Sequence, residues 1–139
     1  MSSDLPLSQP DSLSHCWLLV VDEDEISREL LVILLEDAGA TVVTAASESE
    51  ALQRMTIFIP DVIIYHVGRS GQVDRSFITA MRALPRSLGG RVPVVAINDD
   101  ASNASLCYQA LELGFEACLE KSQITSLLQV IIEVVERGR

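Results

Sequence analysis

The sequence is poor in aromatic residues, which make up 4% of its 139 residues. Hydrophobic residues nevertheless reach 48%, so the core has to be built from Leu, Ile, Val and Ala. Buried parallel sheets and the helices that cover them usually have such cores. The chain is long enough to bury one continuous core and too short for two, so we expect one domain.

Basic residues are also scarce, because 10 Lys and Arg stand against 20 Asp and Glu, for a formal net charge of -10. This charge repels phosphate backbones and anionic membrane surfaces, so we expect no nucleic-acid partner and no membrane partner. No apolar run approaches the ~20 residues that span a bilayer. The N-terminus lacks the basic start and apolar stretch of a signal peptide. These absences predict a cytoplasmic protein.

Cysteine is rare as well, and Cys16, Cys107 and Cys118 are an odd number without C-x-x-C spacing. No paired histidines accompany them as they would in a metal cluster. We therefore expect reduced thiols, most of them buried as packing residues. The sequence also lacks a Gly-rich phosphate loop of either common type, which argues against a nucleotide-dependent enzyme.

The chain divides into a short arm and one domain. Residues 1–15 hold five Ser and two Pro without apolar periodicity, which predicts a flexible N-terminal arm. The domain is expected over residues 16–137. Its apolar runs predict strands at 17–21, 41–44, 62–65, 92–97 and 117–119, each followed by a helical segment. Core stripes are predicted at Ile26, Leu30, Ile33 and Leu34 of the first helix and at Ile124, Leu127, Leu128, Ile131, Val134 and Val135 of the last.

Five alternating strands and helices predict an α/β fold with a doubly wound parallel sheet and helices on both faces. In such sheets the ligand site lies outside the carboxyl ends of the strands. The candidate residues there are Asp22, Glu23 and Asp24 after strand one, His66 after strand three, Asn98 after strand four and Lys121 after strand five. The acidic run alone also fits a first helical turn, where the helix dipole favours carboxylates. Lys121 favours a functional cluster, because it would supply a cation beside these carboxylates.

Several stretches resemble the receiver domain of two-component signalling over about residues 16–137. They are 18–23, the turn Pro60-Asp61, the strand containing Pro93, and Leu119-Glu120-Lys121. The resemblance implies a flavodoxin-like (CheY-like) five-stranded sheet with strand order 2-1-3-4-5. It also implies phosphoryl transfer from a histidine kinase to an aspartate at the end of strand three, with Mg²⁺ held by that aspartate and an acidic pair. Asp22 and Glu23 match the acidic pair, and Lys121 matches the lysine that contacts the phosphoryl group.

The chain departs from this family at several parts of one switch. His66 occupies the phosphoacceptor position. Other departures are Asn98 at the hydroxyl position, Cys118 at the aromatic position, Ser122 at the proline position, and a loop over 68–74 that lacks the usual Met-Pro pair and has Asp74 at the glycine position. Such departures are what a phosphorylation-independent pseudo-receiver would show. We accordingly expect a signalling module that is not an enzyme.

An imidazole at position 66 offers neither the charge nor the oxygen that Mg²⁺ prefers, so we expect no cofactor and Mg²⁺ binding at Asp22 and Glu23 that is weak or absent. The favoured interpretation of His66 is a hydrogen-bonded polar cluster with the two carboxylates and Lys121. Two alternatives stay open. One is an active phosphoacceptor at His66 or a nearby carboxylate. The other is a sensor of a small ligand or of a transition metal such as Zn²⁺ in the same cleft.

The run Leu30–Leu35 is apolar on every side of its helix, and Val130 and Ile132 of the last helix fall outside its core stripe. These extra residues indicate either ordinary packing or a contact with a partner or a second copy of the chain. The expected partners are other signalling proteins, such as a histidine kinase or an output domain, with a homodimer as a further option. A basic middle segment is interpreted as a solvated face; it comprises Arg69, Arg75, Arg82, Arg86 and Arg91.

Overall fold

The structure is a computed structural model that describes residues 12–67 and 73–138. Within these residues five strands and five α-helices alternate. The strands are β1 (Trp17–Val21), β2 (Thr41–Ala45), β3 (Val62–Val67), β4 (Val94–Asn98) and β5 (Ala117–Glu120). The helices are α1 (Glu25–Asp37), α2 (Glu48–Arg54), α3 (Ser76–Arg82), α4 (Ser105–Glu112) and α5 (Leu127–Arg137), with short 3-10 turns at Arg86–Leu88 and Lys121–Ser126.

The strands form one parallel sheet with the order β2-β1-β3-β4-β5, which confirms the predicted fold and strand order. Alternate residues of a strand face opposite sides of the sheet. Leu18 and Val20 belong to the core beneath α1 and α5, whereas Leu19 and Val21 belong to the core on the opposite face, which includes residues of α2, α3 and α4. Burial on both faces explains why the strands are apolar at nearly every position.

Two kinds of sequence signal mark the ends of helices in this fold. Gly39 and Gly114 have φ of 98° and 104° beyond α1 and α4, a backbone conformation that glycine adopts at least cost. At the start of α2, the Ser47 hydroxyl accepts a hydrogen bond from the Glu50 amide at 3.1 Å. The Glu50 carboxylate accepts from the Ala46 amide at 2.6 Å, so two backbone donors at this helix start are satisfied.

The predicted core stripe of α1 is wrong for its first three residues. Ile26, Leu30 and Ile33 are 71%, 61% and 65% exposed. The buried residues of α1 are Ser27, Leu31 and Leu35, with Leu34 partly buried against the same core. Because the run Leu30–Leu35 is apolar all round, periodicity alone allowed two stripes. The stripe that packs against the sheet is the one that contains Ser27, Leu31 and Leu35.

The packed part of the chain starts ahead of the predicted boundary at Cys16. Leu13 is fully buried, and its amide donates to the Ala38 carbonyl at 2.8 Å. Residues 1–11 of the predicted arm lie outside the described residues. At the other end, α5 starts at Leu127 and buries Leu127, Ile131 and Val134. None of the described helices has the length and apolar character needed to cross a membrane.

Candidate functional site

The candidate residues meet at the carboxyl edge of the sheet. Asp22 directly follows β1, and Lys121 directly follows β5. His66 and Asn98 lie within the ends of β3 and β4 rather than beyond them, because both strands end one or two residues later than predicted. His66 pairs with Ile97 of β4 in the sheet register. A strand-held backbone fixes the direction of the imidazole more firmly than a loop would.

The closest contact at this edge joins Asp22 and His66. The imidazole Nδ1 lies 2.7 Å from the Asp22 Oδ2, and the two side chains are 0% and 4% exposed for Asp22 and His66 respectively. This is a close polar contact between an imidazole nitrogen and a carboxylate oxygen. The Ser27 hydroxyl lies 3.4 Å from the same nitrogen. The β1 and β3 ends are thus joined by a buried polar pair.

The Asp22 carboxylate has further donors around it. Its Oδ1 accepts a hydrogen bond from the Asp24 amide at 2.9 Å. Burial by itself raises the pKa of Asp22, but hydrogen bonds from His66, Ser27 and the Asp24 backbone outweigh it and lower the pKa to about 2. The carboxylate therefore stays ionised in the folded protein, because its neighbours stabilise the charged form.

These residues do not fit the magnesium ion that receiver domains use. The two oxygens of Asp22 already bind a backbone amide and an imidazole, and position 66 supplies a nitrogen in place of a carboxylate oxygen. Glu23 is exposed. Over residues 12–67 and 73–138, no three His, Cys, Asp or Glu side chains are grouped so that they could hold a metal ion.

Lys121 forms its ion pair elsewhere. Its Nζ lies 3.1 Å from Asp99 Oδ1, and its side chain is 61% exposed. Of the predicted cluster of His66 with two carboxylates and a lysine, the described residues show the Asp22–His66 pair, whereas Lys121 pairs with Asp99. Asp99, which sequence analysis did not single out, directly follows β4. Its position directly after a strand could have identified Asp99 as a site residue, since it places Asp99 at the same edge of the sheet as Lys121.

Asn98 is fully buried and holds the loop between β4 and α4. Its Nδ2 donates to the Asn103 carbonyl at 3.0 Å, and its Oδ1 accepts from the Asp100 amide at 2.8 Å. Both functional atoms of the amide are engaged with backbone groups. The residue at the hydroxyl position of the family switch thus serves here as a loop anchor.

Cys118 is joined to Cys107 of α4 by a disulfide bond. The expectation of reduced packing thiols was therefore wrong for these two residues. Their separation of 11 residues matches no short motif, and only the packing of α4 on β5 brings them together. Cys16 is buried in the core on the α1 and α5 face.

A second polar network, missed from the sequence, surrounds Tyr65. Its hydroxyl donates to Glu48 Oε2 at 2.5 Å, and Glu48 Oε1 accepts from the Ser76 hydroxyl at 2.6 Å. Burial, followed by the hydrogen bond to Glu48, raises the pKa of Tyr65, so the phenol remains a donor. The network ties the starts of α2 and α3 to β3.

The loop after β3 is described only in part. Residues 68–72, including the predicted basic residue Arg69, lie outside the described residues. Asp74 Oδ1 accepts from the Ser76 amide at 2.9 Å. The residue at the family's glycine position therefore helps to start α3.

Comparisons with known proteins agree with this architecture. The family described as "Response regulator receiver domain" matches residues 18–133. A protein from Leptolyngbya boryana, described as an uncharacterized 14.6 kDa protein in the sodA1 3' region, is 32% identical over 110 residues, which are 79% of this chain and 82% of that protein. The crystal structure of a putative response regulator from Chloroflexus aurantiacus is 28% identical, with a TM-score of 0.76, over 88% of this chain and 98% of that one. The receiver domain of a histidine kinase from Arabidopsis thaliana, solved in complex with Mg²⁺, has 24% identity and a TM-score of 0.75 over 91% and 96% of the two chains.

Proposed function

The chain belongs to the family of response regulator receiver domains, and we propose that it is a pseudo-receiver that signals by protein contact without depending on phosphorylation. It is a receiver domain of two-component signalling. The proposed partners are other signalling proteins, such as a histidine kinase or an output domain, or a second copy of the chain. The proposal concerns how this receiver passes on its signal.

The buried pair of Asp22 and His66 is the observation that carries the proposal. In a phosphorylated receiver, the acceptor position needs an aspartate and a neighbouring metal ion to neutralise charge on the incoming phosphoryl group. Here an imidazole fills the acceptor position and lies 2.7 Å from the carboxylate of the acidic pair. The imidazole and the carboxylate contact each other inside the site. Nothing in this pair favours a second, strongly anionic group.

Phosphorylation of His66 itself is the weaker alternative. Its side chain is 4% exposed, and Nδ1 is engaged by Asp22. A phosphoryl group on that nitrogen would place its negative charge against a buried carboxylate, which is strongly unfavourable. The lysine that would offset this charge is paired with Asp99 instead.

The exposed side of α1 supports signalling by contact. Ile26, Leu30 and Ile33 are spaced one turn apart and are each more than 60% exposed. Residues at this spacing share one face of a helix. Three large aliphatic side chains on one exposed helix face are unusual unless a partner covers them. This face is named the α1 patch.

Acetyl phosphate with Mg²⁺, followed by intact-mass spectrometry, tests the loss of phosphotransfer. We expect no phosphoryl adduct on the wild-type chain. The matched variant His66→Asp returns a carboxylate to the acceptor position and is the control for detection. An adduct on the wild-type chain that disappears in His66→Ala would contradict the proposal in favour of a histidine acceptor. An adduct that persists in His66→Ala would place the acceptor on a nearby carboxylate and contradict it as well.

Light scattering tests whether the α1 patch binds a second copy. If it does, the wild-type chain should associate as the concentration rises, and Leu30→Ser should weaken this association. Glu29→Ser, an exposed neighbour on the same helix, is the matched control and should associate like the wild type. Equal association in all three chains would show that the α1 patch is not the contact between copies.

A further inference from the structure

Two half-buried cysteines from different elements lie together at the α4 side of the sheet. Cys107 is in α4 and Cys118 is in β5. Their Cα atoms are 5.3 Å apart and their sulfur atoms are bonded. Disulfides usually join Cα atoms about 4.4 to 6.8 Å apart. The folded backbone therefore holds the two residues at bonding distance without a large rearrangement.

The surroundings of the pair leave it within reach of small thiols. Both residues are only half-buried, and Cys118 packs at the margin of the core on the α2, α3 and α4 face. Cys16 differs, because it is 8% exposed and belongs to the core on the other side of the sheet. Oxidation chemistry in proteins follows exposure and thiolate character. The Cys107–Cys118 pair is thus the accessible cysteine site of the chain.

We propose that Cys107 and Cys118 form a reversible oxidation site that cross-links α4 to β5. The proposed oxidant is a low-molecular-weight disulfide of the glutathione class. One cysteine thiolate attacks a sulfur of this disulfide, forms a mixed disulfide and releases one thiol. The second cysteine thiolate then attacks the mixed disulfide and releases the second thiol. The protein loses two electrons and two protons, and the oxidant is reduced to two thiols. A dithiol reverses the reaction.

The cross-link constrains a short helix that buries few of its residues. The helix has eight residues, and its buried residues are Leu106 and Ala110. A helix of this length is marginal without tertiary packing. Its first turn has no side-chain cap at Ala104. The Cys107–Cys118 bond adds a covalent link to β5 from the third residue of α4.

The oxidation state of the Cys107–Cys118 bond would affect the exposed side chains of α4. Tyr108 and Leu111 of the same helix are 73% and 49% exposed, and Tyr108 directly follows Cys107. Oxidation fixes these side chains relative to the sheet, and reduction frees the helix that carries them. In the cytoplasmic location that the composition predicts, glutathione and thioredoxin keep most thiols reduced, so disulfides there are mainly transient and regulatory. This inference does not rest on the absence of phosphorylation at the Asp22–His66 pair.

Redox titration of the full chain tests the site. The chain is equilibrated in glutathione buffers of varied composition. Its free thiols are then alkylated, and the mass of the protein is measured by mass spectrometry. We expect a single two-electron transition, from mostly dithiol to mostly disulfide over about a 100-fold change in the ratio of squared glutathione to glutathione disulfide. Cys16→Ser should titrate like the wild type. Cys107→Ser and Cys118→Ser should gain at most a mixed disulfide at the remaining cysteine.

Hydrogen exchange in the two redox states tests the effect on α4. Amides of Ser105–Glu112 should exchange at least about ten-fold faster after reduction, whereas those of α1 should be unchanged. Three results would overturn the proposal. They are thiols that never pair in excess glutathione disulfide, a disulfide that resists millimolar dithiol in the folded protein, and identical exchange of α4 in both states.

Discussion

Replacing His66 by Ala removes the imidazole from a carboxylate that has no exposed surface. The pKa of Asp22 is lowered from 3.8 to about 2 in the folded protein, which corresponds to about 2 kcal/mol in favour of the ionised form. Without the imidazole, burial remains and acts in the opposite direction. We therefore expect His66→Ala to lower the free energy of unfolding at pH 7 by about 3 kcal/mol, as when a buried ion pair loses one member.

The loss should be visible in thermal and denaturant unfolding. About 3 kcal/mol corresponds to a decrease in Tm of roughly 10 °C for a domain of this size. The sign with pH follows from the lowered pKa of Asp22. Its stabilising contribution is complete above pH of about 4 and is lost as the pH falls towards 2. In His66→Ala the loss of stability between about pH 4 and pH 2 should be smaller, because the imidazole that helps to lower the pKa of Asp22 is gone.

A double-mutant cycle measures the interaction energy between Asp22 and His66 apart from the individual effects of the two substitutions. Asp22→Asn, His66→Ala and the double variant should give a coupling energy of about 2 kcal/mol. His15→Ala, at the other histidine, which is exposed, is the control and should change stability by less than about 0.5 kcal/mol. A coupling energy near zero, or a loss in His66→Ala no larger than in the control, would refute the reasoning.

Three further perturbations test other parts of the fold. Reducing the Cys107–Cys118 bond, which closes a loop with a separation of 11 residues, should lower the free energy of unfolding by about 3 kcal/mol in urea; an unchanged midpoint would contradict this. Tyr65→Phe removes the hydroxyl that donates to Glu48 and should cost about 1 kcal/mol in the same assay, whereas a more stable variant would show that the bond is not favourable. Gly90→Ala would put its Cβ 1.9 Å from the Leu84 carbonyl oxygen and should lower Tm more than Gly138→Ala, where the nearest atom is 3.5 Å away; equal Tm values would argue against so close an approach.

The sequence was sufficient for the fold because each strand and helix had its own local signal. Apolar runs gave the strands, Gly39 and Gly114 ended helices, and strand order followed from the receiver resemblance. The rotation of α1 was not predictable from periodicity, since the run Leu30–Leu35 is apolar on every side. Only the three-dimensional contacts choose which stripe is buried.

The site was predictable as a set of positions but less so as a set of contacts. The topology brings Asp22 and His66 together, as expected from the ends of adjacent strands. It also brings Lys121 to Asp99, a choice between neighbouring carboxylates that residue types do not determine. The Cys107–Cys118 bond depends on how α4 packs on β5, and no spacing in the chain encodes that packing.

Calorimetric titration with Mg²⁺ of the wild-type chain beside His66→Asp tests the central claim most directly. If the imidazole of His66 occupies the position that a metal-binding carboxylate would need, the wild-type chain should show no saturable Mg²⁺ binding, and His66→Asp should acquire it. Wild-type binding as tight as that of the variant would contradict the account.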